Sequence, residues 1–501
     1  MLLTPRSFLL TFCLWFGIAS FASASTVESN GGYPIKVRDA KTGETLIGVN
    51  IRNADQSWFT VSDYDGNAEM PDLDFRDEIT FSYVGYDDVT LPVFKIRQQN
   101  GRITMSEAAA MLDAVVIVGR RDEDPVEIPY EVEVVKSLDI EFKNSQTAAD
   151  AISANSQVYL QKSQLGGGSP VIRGFEANKV LLVLDGVRLN NAIYRNGHLQ
   201  NAITVNNAIM DQIEVIYGPG SLNYGSDALG GVVHFRTKDP DIVFGDGSDR
   251  TVSSNVMTRY STANQEKSYH FDANFGMRKW GSLTAITFSD YGDLKSGTKR
   301  TEGYPDWGLR EYYFQTVGGL DQIFENPDPT IQVGSGYKQL DILQKIKYQP
   351  NDNFYLVANY QYSANDDIPR YDRLTQAGSS TTKLKFAQWE YGQQRMLASL
   401  KARFLKPAKL WDSGTAIYAF QRVDEDRFNR KFGNRRRSFN LEEVHINSLT
   451  IDFDKEISES GNHKVTYGVD ANHNSVASEA GKINVDNNAL SGGRLTRYPS
   501  G

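Results

Sequence analysis

The stretch that decides the fold runs from Ser169 to Asn191, SPVIRGFEANKVLLVLDGVRLNN, and resumes from Met210 to Lys238, MDQIEVIYGPGSLNYGSDALGGVVHFRTK. Two apolar runs in it, Val180 to Leu184 and Ile213 to Ile216, end abruptly in the turn signals Asp185-Gly186 and Gly218-Pro219-Gly220. This is strand punctuation with no helical period. Glycine recurs at 218, 220, 225, 230 and 231, too densely for an ordinary sheet, so the backbone must turn sharply or approach another surface closely at several points. A compact unit pinned in this way suits packing inside a larger body.

The elements follow one another in a particular order: Ile172-Arg173-Gly174, Leu184-Asp185-Gly186-Val187-Arg188, Glu214-Val215-Ile216, Gly218-Pro219, Tyr224-Gly225-Ser226 and Gly230-Gly231-Val232-Val233. In that order the stretch resembles the plug domain of TonB-dependent outer-membrane receptors. One departure is Tyr217, which stands where the family usually carries an arginine before Gly-Pro, so that arginine's role passes to no residue here. The resemblance implies an α/β plug over residues 125–238. It also implies that a transmembrane antiparallel β-barrel follows.

Upstream, Arg6 precedes the apolar run Phe8 to Phe21, and Ala22-Ser23-Ala24 supplies a small-residue cleavage pattern. Residues 1–24 therefore read as a cleaved secretory signal peptide, with export toward the outer membrane as the destination the resemblance implies. The only cysteine, Cys13, lies inside that segment, so the exported chain has no disulfide framework. A net charge of −9 argues against a nucleic-acid partner, because phosphate affinity needs a basic face. Beyond the signal segment there is no run of 18 or more apolar residues of the kind a membrane helix needs, whereas a barrel hides its membrane signal in short alternating segments.

Residues 31–105 read as a first β domain. Lys36 to Arg38, Gly48 to Ile51, Trp58 to Val61 and Ile79 to Val84 are short strands separated by the turn signals Thr42-Gly43, Asp65-Gly66 and Gly85. The stretches VRDAKTGETLIGVNI, DYDGNAEMPDL and ITFSYVGYDDVTLPV resemble the carboxypeptidase-regulatory-like sandwich found ahead of the plug in many such receptors. That module brings no peptidase chemistry. None of the six histidines has a His or Glu at the spacing of a short helical zinc motif, and there is no Gly-x-Ser-x-Gly elbow. No enzymatic activity and no resident metal are expected.

Between sandwich and plug, in residues 106–124, lies the β-branched run Leu112-Asp113-Ala114-Val115-Val116-Ile117-Val118. It reads either as another strand of the sandwich or as a TonB box, an extended segment that pairs with a strand edge of a TonB-type periplasmic energy-coupling protein. Its place before the plug and its similarity to the family's Leu-Asp-x-Val-Val pattern favour the second.

From about residue 245 the pattern changes. Tyr269, Phe271, Ala273, Phe275 and Met277 alternate with polar residues, as do the even positions of Met396 to Phe404, and Phe354 to Tyr362 and Val465 to Ala471 do likewise. Short turns alternate with long segments such as Gly292 to Gln339 and Asp366 to Lys385. Lipid-facing strands and interfacial aromatics such as Tyr348, Tyr360 and Tyr362 would account for this. Roughly nine candidate strands precede Gly501, against the 22 or so of a barrel wide enough to hold a plug, so residues 245–501 read as the first part of a barrel that is incomplete in this chain.

The fold class expected is mainly β: an N-terminal sandwich, an α/β plug, then the first strands of an outer-membrane barrel. The resemblance implies active uptake of a scarce solute into the periplasm, with an iron complex (haem or a ferric siderophore, free or on a haem-carrying protein) ranked ahead of oligosaccharides. A non-transporting adhesion or glycan-binding surface protein is the alternative from another class. Arg173, Asp185, Arg188 and Glu214 are candidates either for polar contacts to the lumen wall or for salt bridges inside the plug. The polar segment Tyr194-Arg195-Asn196-Gly197-His198-Leu199-Gln200-Asn201 should sit at the plug apex, with Tyr194, Arg195 and His198 toward the solute. Gly197-His198-Leu199 resembles the apical Gly-His-Leu of haem-uptake receptors, which implies His198 as a haem-iron ligand and haem as cargo rather than cofactor.

Overall fold

The computed structural model describes residues 32–40, 42–54, 57–83, 86–106, 119–120, 130–153, 157–194, 202–243, 249–379, 383–457 and 463–499. The signal-peptide segment, the Leu112 to Val118 segment, Arg195 and His198 lie outside the described residues. The chain divides into two compact units, with the boundary between Val116 and Ile117.

The first unit is a sandwich of seven short strands: β1 (Tyr33–Asp39), β2 (Asn50–Asn53), β3 (Phe59–Val61), β4 (Asn67–Met70), β5 (Glu78–Ser82), β6 (Val89–Pro92) and β7 (Arg102–Met105). They form two sheets, in the orders β4-β1-β7 and β3-β2-β5-β6. Alternation puts Ile35, Val37, Ile51, Met70, Ile79, Phe81, Ile103 and Met105 into one core, closed by Val93 and Ile96 of helix α1 (Val93–Gln98). Strands β4, β6 and β7 are additional to those read from the pattern; β4 turns only Ala68 and Met70 inward.

The second unit begins with the plug. Its strands are β8 (Val132–Lys136), β9 (Val158–Gln161), β10 (Ser169–Ile172), β11 (Val180–Leu184), β12 (Val187–Arg188), β13 (Met210–Tyr217) and β14 (Gly231–Thr237). Five of them make one sheet in the order β12-β11-β14-β13-β8, and β9 pairs with β10 beside it. Strands β11 and β14 run parallel while the other neighbours in the sheet are antiparallel. One sheet face packs Leu182, Leu184, Ile213, Val215, Val233 and Phe235 against α2 (Ser137–Lys143) and α3 (Ala148–Ser153). The smaller opposite face carries Leu181, Val183, Ile216 and Val232 with Tyr224.

Around the plug runs one long antiparallel sheet, whose principal strands are β15 (Arg250–Ser261), β16 (Glu266–Met277), β17 (Trp280–Tyr291), then β22 (Tyr337–Asn351), β23 (Phe354–Asn365), β25 (Phe386–Phe404), β26 (Ser413–Lys431), β27 (Arg436–Glu456) and β28 (Lys464–Asn484), with the short β29 (Leu490–Gly493) last. Among the described residues β15 pairs only with β16 and β29 only with β28. Leu283, Ala285 and Leu343 of this wall join the plug core.

The wall is polar inside and apolar outside. On β16, His270 and Asp272 are 3% and 7% exposed while their neighbours Tyr269 and Phe271 are 53% and 44% exposed. A soluble sandwich buries the opposite set, so the strands fit a lipid exterior around a polar lumen. Aromatic pairs mark one rim: Trp280 on Tyr348 with centroids 4.2 Å apart, Phe354 with Phe404 at 5.4 Å and Trp411 with Phe453 at 5.0 Å. The connections between wall strands at that rim are all short, none longer than that between Phe404 and Ser413. The opposite rim carries the long ones, built from β18 (Leu294–Lys295), β19 (Tyr312–Val317), β20 (Leu320–Glu325), β21 (Ile331–Gln332), β24 (Ile368–Pro369) and the single turn α5 (Tyr371–Leu374).

Candidate functional site

The Asp185-Gly186 turn joins β11 to β12, and both residues have positive φ, 49° and 84°, a conformation open chiefly to Gly, Asn and Asp. It aims the Asp185 carboxylate at the wall. The carboxylate accepts from Asn359 Nδ2 and Gln361 Nε2, both at 2.9 Å, and from Thr237 N and Oγ1 at 2.9 and 2.7 Å. Buried Lys345 adds an ion pair at 3.4 Å and holds Asp239 at 2.7 Å. A Cβ on Gly186 would lie 2.6 Å from Ile417 Cδ1 of β26, so glycine also permits the close approach to the wall.

The other three charged candidates turn inward to the plug. Arg173 pairs with Glu131 at 2.7 Å and covers the Tyr217 ring at 4.9 Å. Arg188 donates to the Tyr224 carbonyl at 2.9 Å and lies 3.6 Å from Asp227, and only its own carbonyl reaches the wall, at Gln421 Nε2. Glu214 is wholly buried on the smaller sheet face. The ion pairs of these three side chains are to plug residues: Arg173 from the turn after β10, Arg188 from β12 and Glu214 from β13. Gly174, Gly218 and Gly225 take positive φ in turns beside Pro219 and α4 (Ser221–Tyr224). At Gly230 an added Cβ would meet the Phe175 Cβ at 2.2 Å, and Gly231 packs under Ile172.

Glu214 gathers four groups. Gln212 Nε2 donates to it at 2.8 Å, Arg236 Nε donates to the same oxygen, Gly119 N donates to Oε2 at 2.8 Å, and His234 Nδ1 stands 3.3 Å from Oε2. Burial pushes the carboxyl up, but His234, Arg236 and the Gly119 N–H outweigh it and hold it down at about 2. The next residue, Arg120, bridges the wall: Asp452 at 2.7 Å, Asp470 at 2.8 Å, and the Tyr224 ring at 5.7 Å.

At the long-loop side of the plug, both flanks of the 195–201 segment are fastened to the wall. Before it, Tyr498 donates to the Ile193 carbonyl at 2.8 Å. After it, Gln339 donates to Ile203 O at 3.0 Å, and Arg395 reaches Thr204 Oγ1 and O at 2.9 and 2.8 Å. Burial pushes the Tyr194 hydroxyl above its ordinary range against the pull of Arg395. Beside this anchorage a cavity of about 290 Å³ separates plug from wall, lined by Asn206, Arg259, Glu266, Ser289, Tyr291 and Asp341 among others. Its lining can solvate a polar solute. Among the described residues no group of three or more His, Cys, Asp or Glu side chains could hold a metal ion.

Sequence reasoning missed Arg120, Lys345, Asn359, Gln361 and Arg395. Asn359 and Gln361 carried a signal, as the polar partners in the alternating Phe354 to Tyr362 run, whereas nothing local marks Lys345 or Arg395.

Residues 124–232 match the TonB-dependent receptor plug domain and residues 36–117 the CarboxypepD_reg-like domain. The chain belongs to the TonB-dependent receptors. The receptor is 27% identical over 304 residues to the vitamin B12 transporter BtuB of Vibrio vulnificus strain CMCP6, covering 58% of this chain and 41% of that one. It is 26% identical over 395 residues to a hemin receptor of Yersinia pestis, covering 76% and 50%. To the heme/hemopexin utilization protein C of Haemophilus influenzae it is 34% identical over 132 residues, covering 25% and 17%. The chain thus spans half or less of the length of these relatives. Among solved structures, the copper transporter OprC superposes with a TM-score of 0.53 at 13% identity, covering 74% of this chain and 49% of that one, and at such identity the likeness is one of fold. Receptors of this family are outer-membrane β-barrel proteins that work with TonB. Among the described residues no helix is long and apolar enough to cross a membrane.

Proposed function

We infer that this receptor imports an iron complex into the periplasm, haem first and a ferric siderophore second, driven through a TonB-type protein that engages Leu112 to Val118. The observation that carries the reading is the fastening of Ile193, Ile203 and Thr204 to the inner wall. Ile193, Ile203 and Thr204, the described residues nearest in sequence to Gly197-His198-Leu199 that make these bonds, thus lie at the side of the plug that faces the long loops, which supports that reading. Imidazole is a sound axial ligand for haem iron, and a neighbouring glycine leaves room for a flat macrocycle. The hemin receptor that aligns over 76% of this chain supports the same cargo. The test is His198→Ala in the full-length receptor, with growth measured on haemin and, separately, on a ferric siderophore as sole iron source. Selective loss on haemin is expected. Unchanged haemin growth and an unchanged haem-binding spectrum would reduce His198 to a surface residue and leave the solute open.

A further inference from the structure

Strands β13 and β14 set Glu214 opposite His234 and Gln212 opposite Arg236. These four residues extend the smaller apolar face of the plug sheet, where Ile216 and Val232 precede them in register and Val183 stands directly beside His234. An ionised carboxylate is kept in such a place only if its oxygens are filled by donors and countercharges. Three of the partners of Glu214 belong to the sheet itself. The fourth does not: it is the backbone N–H of Gly119, 2.8 Å from Oε2 and 95 residues earlier in the chain.

Arg236, already donating through Nε to Glu214, donates through Nη2 to the carbonyl of that same Gly119. Both backbone polar groups of Gly119 are therefore gripped by two side chains that are themselves paired. The contact continues on the far side. His234 Nε2 accepts from the Gly186 N–H at 3.1 Å, which leaves the proton on Nδ1, facing Glu214. Gly186 adjoins Asp185, whose carboxylate is fixed to Asn359, Gln361 and Lys345 of the wall. A polar path runs from Gly119 through Glu214 and His234 to the wall, with the 3.3 Å approach of His234 Nδ1 to Glu214 as its one noncovalent link that is not a hydrogen bond.

We propose that Glu214 is a positioning residue for energy coupling: with Arg236 it grips Gly119, so that traction on the segment ending at Val118 is delivered to β13 and β14. This rests on the uptake reading above. Without the grip, a pull would meet the Arg120 ion pairs to the wall and then pass along the backbone to β8, which lies at the edge of the plug sheet and, among the described residues, pairs only with β13. An edge strand peels away one residue at a time. With the grip, the first structure to resist is a buried charged cluster bonded between two inner strands and, through His234, coupled to the contact with the wall.

The test uses the full-length receptor in outer-membrane vesicles. Leu112→Cys, in a full-length receptor whose other cysteines, Cys13 included, are replaced by serine, gives a single handle for force spectroscopy, a measurement that needs no solute. In the Glu214→Gln background the first rupture should move to clearly lower force, and the Gly119 and Arg120 amides should exchange at least tenfold faster, with the 231–237 amides still protected. Haemin uptake should fall several-fold while haemin binding stays as in the parent. Arg236→Lys, which keeps the charge but not the fork, should reproduce the effect and guards against a folding defect in the first variant. An unchanged first rupture and unchanged exchange would overturn the grip. So would a weakened grip with full uptake. If the parent protein itself imports no haemin, the cargo reading fails while the force and exchange results still decide on Glu214.

Discussion

A buried carboxylate stabilises whatever supplies its donors, and Asp185 draws its donors from both sides of the plug–wall boundary. Asp185→Ala removes the acceptor for Thr237, Asn359 and Gln361, leaves Lys345 of the wall with one countercharge fewer, and forces alanine to φ near 49°. A loss of about 3 kcal/mol in plug docking is expected from these effects together. Asp185→Asn, which tolerates the backbone and keeps an acceptor, should cost about half as much. Guanidinium titration of the solubilised receptor, followed by hydrogen exchange of residues 231–237, measures both; equal midpoints for parent and Asp185→Ala would mean that these contacts contribute nothing net. At this scale the sequence marked Asp185 and Glu214 without their partners. Asp185 stood out as a charge at the end of an apolar run and Glu214 as a charge within one, but which one faces the wall depends on which sheet face each strand presents. The donor from Gly119 comes from a position that no local spacing connects to Glu214.

Elements were legible where burial imposes a period. The outward apolar set Tyr269, Phe271, Phe275 and Met277 could be read directly, because lipid on one side and a polar lumen on the other act on every residue of β16. The extent of β25 to β28 was not, since 19 to 21 residues exceed what a bilayer needs and their outer portions face water on both sides. Nor did the long segment after Gly292 announce its own strands, β18 to β21. One of its hairpins, β19–β20, is fixed by a bidentate pair, Asp321 to Arg430 of β26 at 2.6 and 2.8 Å, and Asp321 also accepts from the Gly433 N–H at 2.9 Å. Asp321→Ala should release this hairpin from β26 without disturbing insertion. Limited trypsin treatment of intact cells should then cut within residues 295–310 several-fold faster than in the parent, at Lys295, Lys299, Arg300 or Arg310. Equal rates would show that the hairpin is held elsewhere.

For the whole molecule the question is whether binding and transport can be separated. The contacts that would meet a solute lie at the long-loop side of the plug, at Ile193, Ile203 and Thr204, whereas Gly119 and Arg120 begin the described part of the second unit and are bonded to Glu214, Asp452 and Asp470. These are two different sets of bonds, so removing residues 112–118 takes away the segment ahead of Gly119 and leaves the apical anchorage whole. An active transporter should then bind haemin on the cell surface as well as the parent and lose essentially all uptake, because no pull reaches the plug. A surface adhesion or glycan-binding protein has no use for traction and should be indifferent to the deletion. Surface binding and periplasmic accumulation of haemin, measured on the same cells, decide between them: accumulation at the parent level after deletion would exclude energy coupling through Leu112 to Val118. Loss of binding along with uptake would place the segment in the fold rather than in coupling, which is the sandwich-strand reading of that run.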